Sequence, residues 1–219
     1  MKKFILFLFL LSSLIIGQSY VLNFDGSNDY LSVAASDNAS TKLEGQFTVS
    51  AWVFIEGADR QQIFYNGGAE LEWLGTGYNF FRIQPGAVPS WGKVSKLHRY
   101  QWHHVVITRN SSNSIQIYVN GDLSKYYVSS SDTVDDIMYI GRDPNEGQYF
   151  DGSMDELAIW SSELSASQID SLYNKGVPES ATKILGAASS LKSYWKLEQP
   201  SGSTVANSVT NGAALTLNN

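Results

Sequence analysis

Short runs that alternate apolar with polar side chains, each closed by Gly, Asn or Asp, recur along most of this 219-residue chain. Alternation at period two sends successive side chains to opposite faces, so each run is a strand with a face to bury. Tyr20–Phe24 and Tyr30–Val33 flank the turn Asp25-Gly26-Ser27-Asn28. Phe47–Ile55 puts Phe47, Val49, Ala51, Val53 and Ile55 on one face and Thr48, Ser50, Trp52 and Phe54 on the other, which predicts cover on both sides. Val105–Thr108, Ile115–Val119, Ile137–Gly141 and Met154–Trp160 repeat the pattern. Asn120-Gly121 accepts positive φ at both centres of a type I′ turn, so Ile115 to about Val128 reads as a hairpin.

A single helix interrupts the strands. Ser165 and Gln168 have capping-box spacing, Leu164 and Ile169 the spacing of a hydrophobic staple, and Ile169, Leu172 and Tyr173 share a helical face. Gly176 suits the left-handed position beyond the helix, and Pro178 stops continuation. The spacing predicts a short helix near 165–175, clipped onto one edge of the sheets. About ten strands without strand–helix alternation imply an all-β, two-sheet antiparallel sandwich.

Composition removes several function classes. With 43 % hydrophobic and 13 % aromatic residues the chain is not disordered, and without Cys it has no thiolate metal site, cysteine nucleophile or disulfide. A net charge of −6 argues against nucleic acid as partner. Lys2 and Lys3, the apolar run Phe4–Ile16 and the small residues before Tyr20 read as a secretory signal peptide spanning 1–19, cut after Ser19. Its apolar run is too short to span a bilayer, and no later segment approaches a span. The expected location is therefore extracellular or at the cell surface.

Several stretches, in order, resemble laminin-G-like jelly rolls of the concanavalin A-like lectin/glucanase superfamily. They are Leu22-Asn23-Phe24-Asp25-Gly26-Ser27-Asn28-Asp29-Tyr30-Leu31, Phe47–Val53, Trp102-His103-His104-Val105-Val106-Ile107-Thr108 and Ile117-Tyr118-Val119-Asn120-Gly121. Ile140-Gly141-Arg142, Phe150-Asp151-Gly152-Ser153-Met154-Asp155-Glu156-Leu157 and the 165–173 helix complete the series. The resemblance covers about residues 20–176, and the jelly roll is assigned to 20–177.

One element is displaced. The family usually opens with an aromatic-Trp-Lys-Leu-Glu strand, yet Tyr194-Trp195-Lys196-Leu197-Glu198 stands near the C-terminus, beyond a Pro, Ser, Gly and Ala stretch (178–190) that reads as a linker. Either 191–219 completes the sandwich as a circular permutation, its strand lying beside the 20–25 strand, or it begins a truncated second module.

The resemblance implies a structural calcium, with Asp155 as side-chain anchor, Asp25 as second carboxylate and Asn28 or Gly26 as helpers. The competing reading is that Asp25 only bonds its own turn. Asp143-Pro144-Asn145-Glu146-Gly147 lacks the later acids of a calcium loop and reads as a solvated turn. His103 and His104 face opposite sides of a strand and cannot share a metal. Asp155 and Glu156 likewise show one side chain to each face.

No catalytic residue is assigned. Superfamily glucanases carry a Glu-x-Asp-x-x-Glu strand, and Glu70-Leu71-Glu72 is the nearest approach. Aromatic residues crowd positions 64–102, and Tyr78, Arg82, Gln84 and Trp91 are the expected ligand surface, though such rings also fill cores. The leading expectation is a secreted, non-catalytic module engaging glycans or cell-surface proteins. The alternatives are a degenerate glycan hydrolase or lyase, and a passive adhesive component.

Overall fold

A computed structural model describes residues 20–34, 39–66, 69–75, 81–83, 98–128, 138–198 and 202–219. In chain order the first strands are β1 (Leu22–Asp25), β2 (Tyr30–Ser32), β3 (Phe47–Ile55), β4 (Arg60–Asn66), β5 (Ala69–Leu74) and β6 (Phe81–Ile83). Next come β7 (Trp102–Arg109), β8 (Ser114–Val119), β9 (Asp122–Val128), β10 (Tyr139–Ile140) and β11 (Asp151–Trp160). After α1 (Ala166–Tyr173) the tail adds β12 (Leu191–Trp195), β13 (Thr204–Val205) and β14 (Leu215–Asn218). All pairings are antiparallel. The first sheet runs β1-β11-β3-β7-β8-β9 with β12 also on β11, and the second runs β13-β14-β2-β10-β4-β5-β6. The all-β sandwich expected from the alternation is the fold.

The sequence pattern explains which face each strand buries. Val49, Val53 and Ile55 of β3 face the space between the sheets, where Leu31, Ile63, Leu71, Trp73, Ile140 and Leu215 of the second sheet meet them. The opposite face of β3 is buried too. Val106, Tyr118, Ala158 and Trp160 on the outside of the first sheet form a second cluster with Leu164, Ile169 and Leu172 around α1. The helix thus lies on a sheet face and not on an edge, because its apolar stripe needs a broad apolar partner.

Local signals hold where hydrogen-bond chemistry is local. Asn120 and Gly121 both have positive φ (53° and 83°) between β8 and β9, as a type I′ turn requires. Ser165 accepts from the Gln168 N–H while the Gln168 side chain accepts from the Ser165 N–H, completing the capping box. The helix ends earlier than Gly176 suggested. Asn174 takes the left-handed position (φ 43°) and donates its N–H to Asp170, since Asn tolerates that conformation better than other side chains with a Cβ.

The tail is built into both sheets. β12 pairs with Leu157–Trp160 of β11, whereas β1 pairs with Asp151–Met154 of the same strand. Because β3 occupies the other side of β11, β1 and β12 lie end to end along one edge. Tyr194 and Trp195 therefore stand in line with the 20–25 strand and not beside it. β14 pairs with β2, and Trp195, Leu197, Val205 and Leu215 enter the main core. Residues 178–190, linker-like in composition, bury Ala181, Ile184 and Ala187 in the cluster around α1.

Candidate functional site

Register decides which side chains share the outside of the second sheet. Tyr139 is paired with Ser32 on one side and Tyr65 on the other. Across β14, Thr216 faces Ser32 and Asn218 faces Tyr30. Side chains of paired residues lie on one face, and Leu31, Ile140 and Leu215 between them point into the core. The outer face therefore displays half-buried Tyr30, Ser32, Tyr65, Tyr139 and Asn218 in adjacent rows.

Rings and a guanidinium pack there without closing the surface. Tyr30 lies 6.1 Å from Tyr139 and 6.4 Å from Tyr149 between ring centroids, both tilted. The Arg142 guanidinium carbon sits 4.8 Å over the Tyr30 ring and 5.5 Å from that of Tyr149. Arg142 Nε and Gln148 Oε1 are buried and have no hydrogen-bond partner among the described residues.

The 143–148 loop is braced from beneath. The buried Asp143 carboxylate accepts the N–H groups of Asn145 (2.7 Å) and Glu146 (3.1 Å), so this turn is ordered by an internal acid rather than merely solvated. Asn145 donates to the Tyr65 hydroxyl (2.8 Å). Arg60 holds the fully buried Glu72 through two bonds (3.0 and 2.8 Å) and also pairs with Glu146 (2.8 Å). Glu72 and Glu146 are thus engaged in ion pairs with Arg60, while Asp143 is taken up by backbone N–H groups. The arrangement offers ring faces and N–H and O–H donors, a set chemically suited to holding a polyhydroxylated ligand.

Arg82 falls in β6, opposite Glu72 across the ladder. Its side chain, with Tyr78, Gln84 and Trp91, lies outside the described residues. Of the other aromatics in that stretch, Phe64 and Trp73 are core residues and Tyr65 joins the outer face. Tyr30, Tyr139 and Tyr149 were not singled out in the sequence. Their positions in β2, β10 and the 149–150 return are unremarkable until register unites them.

The proposed calcium ligands do not converge. Asp25 Oδ1 accepts from the N–H groups of Ser27 (2.8 Å) and Asn28 (3.3 Å), and these bonds hold its carboxyl below the usual carboxylate range. Asp25 pairs with Asp151, and Asp155 lies four residues further along β11, roughly 13 Å at strand rise. Asp25, Asn28 and Asp155 therefore do not fit one ion. Among the described residues no three His, Cys, Asp or Glu side chains form a metal-sized group.

A β-bulge reverses one expectation. The register on β3 shifts between Asp155 and Ala158, and Glu156 takes φ 53°. Asp155 consequently shares the outer face with its partner Trp52, while Glu156 accepts the hydroxyl of Tyr194 from the outer cluster. Both acids face outward. Burial, reinforced by Glu156 and Glu198, pushes Asp155 up to about 7.

His103 and His104 do face opposite ways. His103 Nε2 lies 3.0 Å from the His98 carbonyl, and His104 Nε2 lies 2.8 Å from Ser50 Oγ. This Ser–His pair is sealed under the stacked rings of Trp52 and Tyr173, and His104 Nδ1 has no orienting partner among the described residues. Burial depresses His104 to about 3, leaving a neutral packing residue and not a nucleophile's base.

A laminin-G family model described as the concanavalin A-like lectin/glucanases superfamily matches residues 25–170. The chain belongs to this superfamily. The matched segment of this superfamily member ends before β12, so the strands that the tail supplies lie beyond it. A protein from Bacteroides ovatus, provisionally named as carbohydrate binding, shares the fold with TM-score 0.69 and 22 % identity over 90 % of this chain and 57 % of its own. The chain thus spans little more than half of that protein. A heptameric SAP-like pentraxin from Limulus polyphemus aligns with TM-score 0.59 and 12 % identity, covering 81 % of this chain and 91 % of its own. Domain 4 of the arabinanase AbnA from Geobacillus stearothermophilus, in complex with arabinotriose, aligns with TM-score 0.50 and 20 % identity over 61 % and 69 %. No curated protein matches the chain significantly.

Proposed function

We propose that this protein is a secreted, non-catalytic glycan-binding module whose ligand rests on the tyrosine face of the second sheet. The observation that carries the reading is the half-exposed group Tyr30, Tyr139 and Tyr149 with Arg142 lying over the Tyr30 and Tyr149 rings. Sugar rings present C–H faces that pack on aromatic rings, and their hydroxyls need fixed donors and acceptors beside those faces. Ser32, Asn145, Asn218 and the tyrosine hydroxyls supply them. The carbohydrate-binding name of the Bacteroides protein and the arabinotriose held by the Geobacillus domain support the same class of ligand.

Hydrolysis is the weaker reading. It requires two acids across a scissile bond, whereas Glu72 and Glu146 are held in ion pairs with Arg60. A glycan array followed by calorimetry tests the proposal. Tyr139→Ala and Arg142→Ala should each weaken the best array ligand at least about tenfold, equivalent to ~1.4 kcal/mol, with the melting temperature little changed. A blank array, full affinity in both variants, or turnover of any polysaccharide would refute it.

A further inference from the structure

A second cavity lies on the opposite side of the molecule, where the cover over the first sheet stops short. It is a cleft of about 320 Å³ lined by Val21, Trp52, Trp102, Asp155, Gly176 and Pro178. Its walls follow from register. Asp155, Trp52 and His104 form one row across β11, β3 and β7, and Phe54 and Trp102 begin the next. Trp52, 4 % exposed, is fixed by stacking on His104 (5.1 Å) and Tyr173 (5.9 Å). Trp102, 38 % exposed, leans on Phe54 (5.6 Å) and leaves much of its ring open.

Asp155 is out of place in such a wall. It is 7 % exposed, and its Oδ1 accepts only the Glu156 N–H (3.0 Å). No Lys, Arg or His pairs with it among the described residues, and its Oδ2 has no partner there. The charges that reach it, Glu156 and Glu198, are of its own sign. A buried carboxylate without a counter-charge is unfavourable, and folded proteins ordinarily supply one. The bulge that turns both acids outward is also what points this one at the indoles.

We propose that this cleft binds an organic ammonium ion, seated between the Trp52 and Trp102 rings with Asp155 as its counter-charge. Indole faces attract cations through their quadrupole, and a carboxylate beside them supplies the full charge. A bare metal fits poorly, because carbon-rich indole walls contribute no oxygen donors and the volume far exceeds an ion. Small alkylammonium ions and protonated amino sugars share the required chemistry. The site is independent of the tyrosine face, which lies on the other sheet.

Titration of the full chain with tetramethylammonium chloride, glucosamine and N-acetylglucosamine, followed by tryptophan fluorescence, tests this. At least one of the two cations should produce a saturable change with a Kd on the order of millimolar, as a small ligand allows. Neutral N-acetylglucosamine should produce none, and which cation binds identifies the source. Asp155→Asn keeps the acceptor for the Glu156 N–H and should weaken binding tenfold or more. Trp102→Ala should weaken it severalfold, and Tyr139→Ala should leave it unchanged. Absence of binding by both cations, equal binding of the neutral sugar, or full affinity in Asp155→Asn would overturn the proposal.

Discussion

The two sheets treat their outer faces in opposite ways. On the first sheet, Val106, Tyr118, Ala158 and Trp160 are roofed by α1 and by Ala181, Ile184 and Ala187 of the following segment. On the second, Tyr30, Tyr65 and Tyr139 stay half-buried beneath no covering helix among the described residues. Both faces carry aromatics, so ring content does not separate them. What separates them is how far their polar companions are covered: Ser32, Asn218 and Arg142 stay half-buried around the open rings, whereas Ser50, His104 and Asp155 on the outside of the first sheet are buried. A roofed face contributes stability, and the open one is where the proposed ligand rests.

The largest effect of a single substitution should come from the roofed side. Trp160→Ala removes a fully buried ring from the cluster beneath α1 and should lower stability by about 3–5 kcal/mol, read by denaturant or thermal melting. Deletion of 191–219 should be harsher still, since Trp195, Leu197, Val205 and Leu215 leave the main core with it. A truncated chain that melts cooperatively at the parental temperature would show the tail to be a separate module.

The pH dependence sharpens the contrast within the first sheet itself. His104 has a folded pKa of about 3 against an ordinary 6.5, so between those values the unfolded chain binds a proton that the native state refuses. Stability is therefore lost as pH falls from about 6.5 toward 3. Asp155 behaves oppositely. Its native pKa of about 7 against 3.8 means that the folded state keeps a proton the unfolded chain has released, so stability is lost as pH rises through about 4 to 7. His104→Gln should flatten the acid limb. Asp155→Asn should flatten the neutral limb and raise the melting temperature at pH 8 by several degrees, with no gain at pH 3. A lower melting temperature at pH 8 in Asp155→Asn would make the residue structural rather than one held at the expense of stability.

The fold was far more legible in the sequence than the site. Alternation, the Asn120-Gly121 turn and the Ser165–Gln168 box are signals within a few residues, and each forms as expected. Placement across the chain is another matter. Nothing local states that 191–195 continues the lane of 22–25, because both simply read as strands that need β11. Ala181, Ile184 and Ala187 recur at three-residue spacing, yet the Pro, Gly, Ser and Ala around them resemble a linker. Glu156 carries no sign of its left-handed φ, as Gly would, so the bulge and the outward turn of both acids escape a reading based on alternation. The tyrosine face draws on four separated segments, and only register shows that they share a side.

The smallest effect concerns the turn that joins the two sheets. β1 belongs to the first sheet and β2 to the second, so a metal bound at Asp25–Asp29 would clamp them together. The turn already has its own closure: Asp25 Oδ1 takes two backbone N–H groups and Asp29 Oδ2 takes that of Asp25 (3.1 Å). Gly26 adds a close approach, since a Cβ there would stand 2.8 Å from that of Asp151. Asp155 lies roughly 13 Å away, and among the described residues no three His, Cys, Asp or Glu side chains gather into the carboxylate-rich set that calcium favours. EGTA should therefore shift the melting temperature by less than about 1 °C, because an ion that does not bind the native state adds nothing to its stability. A fall of several degrees would place a metal between the sheets and make their junction, rather than the α1 roof, the principal staple of the sandwich.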